Sequence, residues 1–359
     1  MIHSNTSFGK LKEVIVGREL NLDKRIVDLT FKYFYRENLG QDIYEKPFDE
    51  YSINYDLIQQ RIEELDGFAK QLEGLGIKVY RPDEVNSVIK FKTPTFESEC
   101  TSASNVRDIT LVYKDCIVET PTFVRNRYFE NMALYNVYNN AFDCGRGGRW
   151  IRCPQTRLVE SSVDLDEWNV PRDFANFDRQ KYDMAIDGAQ FLRIGRDVIV
   201  NVTTYNHYLG YEWVKSLFPE SEFHMISVAD NHIDGELLCL RPGAFLLNPA
   251  FASIKDVLPE KFRSWDFICP EELTENIDVS DMTDMGLRLA SSRGMDINVL
   301  SLDENTVAVN KRAVGVISAL EKNGFDVVSV KLDNGEIFCG GLHCSTLDLV
   351  REDEYEFYA

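Results

Sequence analysis

Apolar residues collect in short runs that alternate with polar positions or follow one another without a break: LKEVIVG (11–17), DITLVYKDCIVE (108–119), FLRIGRDVIVN (191–201), LLCLRPGAFLLN (237–248) and INVLSLDENTVAV (297–309). The last four are split by tight-turn sequences (KD, GRD, RPG, DEN), so each predicts strand, turn, strand; the first predicts a single strand. Behind each run, apolar positions step by three and four residues and predict helices over 56–75, 123–142, 205–218, 252–262 and 310–323. A further strand follows each helix, at 77–82, 149–154, 222–228, 264–270 and 325–332. The order strand pair, helix, strand therefore recurs five times, with insertions between.

Repetition of one unit implies that neighbouring units complete each other's cores, which favours a single domain over 1–359 rather than two independent ones. A doubly wound sheet is the alternative. It would call for a phosphate loop after the first strand, and VGRELNLDK carries no G-x-G-x-x-G. GRGGR (145–149) precedes a strand instead of opening a helix and reads as a surface loop.

With 59 acidic against 39 basic residues, the net charge of −20 makes the mean field repel phosphate backbones and anionic membranes, so neither nucleic acid nor a membrane surface is expected as a partner. Most of that charge reads as a solvated surface, and it suits cationic small molecules. The eight cysteines form no C-x-x-C pair, so no metal site, disulfide framework or cofactor is expected. No window reaches the roughly 18 apolar residues of a membrane span, and MIHSNTSFGKLKEVIVG lacks a leader pattern. The expectation is a cytoplasmic protein; a homodimer is compatible with it.

Three segments carry reactive side chains: 183–197, 230–243 and 338–352. Cys344 follows Gly340 and Gly341, where backbone can approach a ligand closely and a thiol can be aimed inward, although a lone cysteine is ordinarily a small buried hydrophobe. His232 and Asp234 lie two apart, so an extended segment would place both on one face. Asp187, ahead of FLRIGRDVIVN, is placed to orient an imidazole. Cysteine, histidine and several carboxylates without metal ligands suit attack on a guanidinium carbon. Carboxylates hold the cation, the thiolate attacks, and the histidine protonates the leaving amine.

In these same segments the chain resembles the amidinotransferase family, which includes glycine amidinotransferase and inosamine-phosphate amidinotransferase. The likeness runs from RDITLVYKDCIVETP through DGAQFLRIGRDVIVN, YLGYEW, HIDGELLCLRPG and INVLSLDENTVAV to GGLHCSTLDLVRE. It implies an α/β fold, a five-fold pseudosymmetric propeller (pentein) of ββαβ modules around a central active site. It also implies Cys344 as the nucleophile that becomes an amidino-cysteine, His232 as general acid and base, and Asp187 as its orienting partner. Asp108 and Asp234 would grip the guanidinium, and Ser291 and Ser292 would contact substrate. The implied course is ping-pong: L-arginine in, ornithine out, then an amine in.

Departures from the family bear on the acceptor. Phe251 stands where the glycine enzyme has a carboxylate-binding arginine, Asn231 replaces a methionine before the histidine, and Gln190 replaces the second acid of D-x-x-D-F. The expected acceptor is therefore a larger amine than glycine, as in toxin or antibiotic pathways of the saxitoxin type, with Arg293 or Arg241 left to hold the arginine carboxylate. Two rivals stay open. One is a hydrolase of the same superfamily resembling arginine deiminases, and the other is a non-enzymatic propeller that works as an interaction protein.

Overall fold

A computed structural model describes residues 2–20, 22–35, 49–85, 87–100, 102–143, 148–163, 172–228 and 232–359. The loop expected at 145–149 lies largely outside them, as does Asn231. Each of the four turn-split runs forms its hairpin, and each hairpin gains a third, parallel strand after the helix. The resulting sheets are Thr110–Tyr113, Cys116–Glu119 and Arg149–Arg152; Phe191–Ile194, Asp197–Asn201 and Glu222–Ile226; Leu237–Arg241, Ala244–Leu247 and Asp266–Ile268; and Leu300–Ser301, Thr306–Asn310 and Asp326–Val330. In every case the middle strand pairs antiparallel with the first and parallel with the third.

The single strand of the first unit, Lys10–Val16, obtains its missing partner from the far end of the chain. Thr346–Glu352 pairs with it antiparallel, from Lys10 opposite Glu352 to Val16 opposite Thr346, while Lys78–Tyr80 pairs parallel on its other side. The described strands thus build five three-stranded sheets of one pattern, and the first is closed by the chain's two ends.

Period-two alternation explains why these runs are so apolar. On Thr110–Tyr113, Leu111 and Tyr113 face a core shared with the third unit, whereas Val112 faces a core shared with the first. Ile199 likewise packs toward the fourth unit while Val198 and Val200 pack toward the second. Each sheet is covered on both faces, so its middle strand is buried on both. The first and fifth units share a further cluster in which Val14 and Phe68 meet Leu300 and Ala308.

The helix Tyr55–Gly74 begins where the Asn54 side chain accepts from Asp56 N at 3.0 Å and buries Ile58, Arg61, Leu65, Phe68 and Leu72 along one stripe. Tyr205–Ser216 and Val314–Lys322 are regular helices as expected. The continuous helix expected over 123–142 is broken. Arg125–Arg127 and Glu130–Leu134 are 3-10 turns, and only Tyr135–Asp143 is α-helical. Tertiary contacts override the local spacing here: Arg127 turns inward, donates to Asp108 Oδ2 at 2.8 Å and Asn105 O at 3.1 Å, and pairs with the buried Glu130 at 2.7 Å. At 252–262 the helix shrinks to Ile254–Val257 followed by a 3-10 turn at Glu260–Phe262.

Where strands of several units converge, Asp348 receives three buried arginines. Arg107 Nη2 donates to Oδ1 at 2.6 Å, and Arg193 Nη2 and Arg351 Nε donate to Oδ2 at 2.6 and 2.8 Å. The three guanidiniums outweigh the burial of the carboxyl and hold it well below the usual carboxylate range. Their remaining donors reach carbonyls of Val112, Gly9, Ser301 and His343, so one carboxylate ties four segments of the chain together.

Candidate active site

Cys344 sits in a tight turn ahead of the closing strand, 2 % exposed. Asn298 fixes that turn: its backbone oxygen accepts from Leu342 N at 3.1 Å, and its side-chain Oδ1 accepts from Cys344 N at 3.0 Å. Its Nδ2 points at Cys344 Sγ, 3.1 Å away, an N–H dipole aimed at the sulfur. The two glycines before the turn serve these contacts. A Cβ on Gly340 would lie 2.0 Å from Asn105 Oδ1, and one on Gly341 would lie 2.7 Å from Asn298. The close approach expected there is made to two asparagines that hold the turn of Cys344.

His232 and Asp234 come together by a different route from the extended segment expected. His232 caps a 3-10 turn, Ile233–Gly235, that contains Asp234. His232 Nε2 is 3.0 Å from Asp187 Oδ2, and Nδ1 is 3.8 Å from Asp108 Oδ1. Burial by itself would lower the imidazole's pKa, but the carboxylates of Asp108, Asp187 and Asp234 outweigh it and raise it to about 9. At neutral pH this histidine is a charged proton donor. Phe34 packs edge-on to it at 5.4 Å.

Asp187 is held by Gln190, whose Oε1 accepts from Asp187 N at 2.8 Å and whose Nε2 donates to Asn201 O at 2.6 Å. An amide both accepts and donates here, which a carboxylate could not do, and this accounts for glutamine at a position where the family carries an acid.

Asp108 gives one oxygen to Arg127 Nη1 at 2.8 Å. Its other oxygen, Oδ1, is buried without a hydrogen-bond partner. One atom each from Asp108, His232 and Cys344 lie mutually within 4.8 Å. That spacing would also admit a metal ion. A metal bound there would take the places of the protons on His232 and Cys344, the latter's thiol being pushed well up by burial and by Asp234 and Asp108. A second cluster, Asp197, Glu222 and His224, already holds a cation, Lys261 Nζ, 2.6 Å from Asp197 Oδ1.

Asp234 takes both the Cys344 thiol and His343 Nδ1 on Oδ2, at 3.2 and 2.7 Å. Burial would raise its pKa, yet His343 and His232 bring it down to about 2; His343 itself is lowered to about 4 by burial and stays neutral.

These groups open on a cavity of about 290 Å³ lined by His232, Asp234 and Cys344 and by Phe34, Tyr35, Phe251, Leu289 and Met295, with Glu236 and Asn248 adding polar atoms. Ser291 lines it too and caps the helix Ser292–Ile297 by accepting from Gly294 N at 3.1 Å. Ser292 turns away and bonds Glu336. Arg293 is exposed and outside the lining, and Arg241 is directed to Asn323 O and the Phe325 ring. No arginine or lysine lines the cavity among the described residues. Asn298, His343 and Arg127 were not singled out from the sequence; the histidine beside Cys344 was the one visible signal.

No family model matches the chain. It is 31 % identical, over 90 % of its length and 85 % of the relative's, to the L-arginine:L-lysine amidinotransferase of Pseudomonas savastanoi pv. phaseolicola. Two solved structures superpose over its whole length and 99 % of their own. They are an amidinotransferase of the saxitoxin biosynthetic pathway from Microseira wollei (29 % identity, TM-score 0.81) and the inosamine-phosphate amidinotransferase from Streptomyces griseus (26 %, TM-score 0.85).

Proposed function

Since this chain belongs to the amidinotransferase family, we propose that it passes the amidino group of L-arginine to an amine larger than glycine through an amidino-cysteine on Cys344. The fold proposed for that reaction is a five-fold α/β propeller with the site at its centre. The clusters linking first to second, second to third, third through fifth, and fifth to first units support it. The observation that carries the mechanism is the convergence of Asp108, His232 and Cys344 within 4.8 Å beside the cavity.

Arginine enters with its guanidinium beside Asp108 Oδ1 and Asp234. The added cation favours the thiolate, and the thiol proton leaves to solvent through the cavity. The sulfur attacks the guanidinium carbon. As the C–N bond to the ornithine side breaks, the His232 imidazolium gives its proton to the leaving nitrogen and becomes neutral. Ornithine departs, leaving a cationic amidino-cysteine. The acceptor amine then gives a proton to His232 and attacks the same carbon. Expulsion of the thiolate releases the guanidino product; as that cation departs, the thiolate takes back a proton from solvent, which restores the starting charges.

Phe251, with Phe34, Leu289 and Met295 in the same lining, supports an acceptor with a larger apolar body than glycine. Incubation with arginine and a panel of amines tests this reading: ornithine with a new guanidino compound is expected. Citrulline with ammonia would instead mean hydrolysis, and a clear preference for glycine would overturn the acceptor assignment.

A further inference from the structure

Behind the nucleophile lies a cation that the mechanism above does not use. Arg61 projects from the buried stripe of the helix Tyr55–Gly74 and is fully enclosed, 0 % exposed. Its Nη2 donates to Ser345 Oγ at 2.8 Å and lies 3.3 Å from Asn105 Oδ1 and 3.5 Å from Ser104 Oγ, all neutral oxygens. Its Nε and Nη1 are buried with no hydrogen-bond partner, and it forms no ion pair within 4.0 Å among the described residues; the buried carboxylates of Glu19 and Glu64 act on it without such contact. Phe338 covers it at 5.5 Å. A buried guanidinium without a carboxylate partner is costly, and such groups persist where their charge is used.

Its surroundings point to one use. Ser345 follows Cys344, and Asn105 ties the same turn by donating to Phe338 O and Cys339 O at 2.8 and 3.0 Å. The other charged or titratable groups facing the sulfur are Asp234, Asp108, His232, His343 and Cys339. Both carboxylates among them oppose a thiolate. Arg107 holds the turn from behind, with its N–H on Cys344 O at 3.2 Å and its Nε on the His343 carbonyl at 2.8 Å, but its charge is paired with Asp348. Arg61 is the buried cation beside this turn that lacks such a partner.

We infer that Arg61 is a positioning residue whose positive charge, held without a contact ion pair and delivered through Ser345, favours the Cys344 thiolate against Asp234 and Asp108. The same charge disfavours the cationic amidino-cysteine and so assists its discharge. The inference rests on Cys344 being the nucleophile.

Iodoacetamide alkylation of Cys344, followed by peptide mass mapping across pH, reads the thiolate directly and needs no turnover. If arginine left no adduct, the alkylation profiles would still report on Arg61. For Arg61→Gln the profile should be displaced upward by about one pH unit or more, and the rate below the thiol's pKa should fall about threefold or more. Arg61→Lys, which keeps a shorter-reaching charge, should fall between the variant and the native chain. The limiting rate at high pH should not fall in either variant and should rise about threefold per pH unit of displacement, because a more basic thiolate is the better nucleophile. A native profile in folded Arg61→Gln overturns the inference. So does an equal displacement in both variants, a limiting rate that falls, or failure of both to fold, each of which would assign Arg61 to shape or stability alone.

Discussion

One oxygen of Asp234 serves two neighbours: Oδ2 accepts the Cys344 thiol at 3.2 Å and His343 Nδ1 at 2.7 Å. The carboxylate that accepts the Cys344 thiol is thus itself steadied by a histidine lowered to about 4, which stays a neutral donor across the working pH range. Replacing His343 with Phe removes a hydrogen bond to a charged group, worth about 1.5–3 kcal/mol. We expect kcat/KM for arginine to fall about 10- to 100-fold in steady-state assays.

His232 supplies a pH prediction. Its pKa is raised to about 9, so it carries the proton needed by the leaving amine below that pH and loses it above. Single-turnover ornithine release should decline on the alkaline side around pH 9. In Asp187→Asn that limb should move to lower pH, because one of the carboxylates that raise the pKa is gone. The same sign applies to stability. The contribution of the charged histidine is fully present below its unfolded pKa of about 6.5 and is lost as pH rises through about 9. His232→Ala should cost about 10²- to 10⁴-fold in turnover.

Gln190 tests the orientation of Asp187. In Gln190→Glu the group facing Asn201 O loses its N–H, leaving a buried carbonyl without its donor at a cost of about 1–3 kcal/mol. Urea unfolding should show the loss. Turnover should fall with it, and raising the acidity so that the new carboxyl is protonated should restore part of the stability.

Asp348→Asn strips the charge from the point where three buried arginines meet, and breaking such a cluster costs about 3–5 kcal/mol. The midpoint of urea denaturation should drop accordingly. The folded pKa of Asp348 is depressed, so its contribution is present above the unfolded pKa of about 3.9 and is lost as pH falls toward the folded value. The acid limb of the native stability profile should therefore be flatter in the variant.

The hairpins were legible because both signals that make them are local: period-two apolar runs, and turns such as RPG between Leu237–Arg241 and Ala244–Leu247. The partner of Lys10–Val16 was not, because it lies at the other end of the chain and LDLVRE reads like any other strand. Apolar spacing over 123–142 suggested one helix because it says nothing of Arg127, whose guanidinium is drawn inward to Asp108 and Asn105 O outside the segment. Cys344, His232, Asp187, Asp108 and Asp234 could be placed by motif, and the structure brings all five together. Asn298 and Arg61 could not. They belong to other units, and what they do depends on which atoms of the 339–345 turn they touch.

In the proposed reaction Cys344 carries the amidino group between two substrates. Intact-mass spectrometry after brief exposure to L-arginine without acceptor reads that step directly. A gain of one amidino group is expected, mapped to Cys344, absent from a folded Cys344→Ala and discharged by an acceptor amine. An unmodified native chain that still released ornithine, or turnover retained in Cys344→Ala, would contradict it.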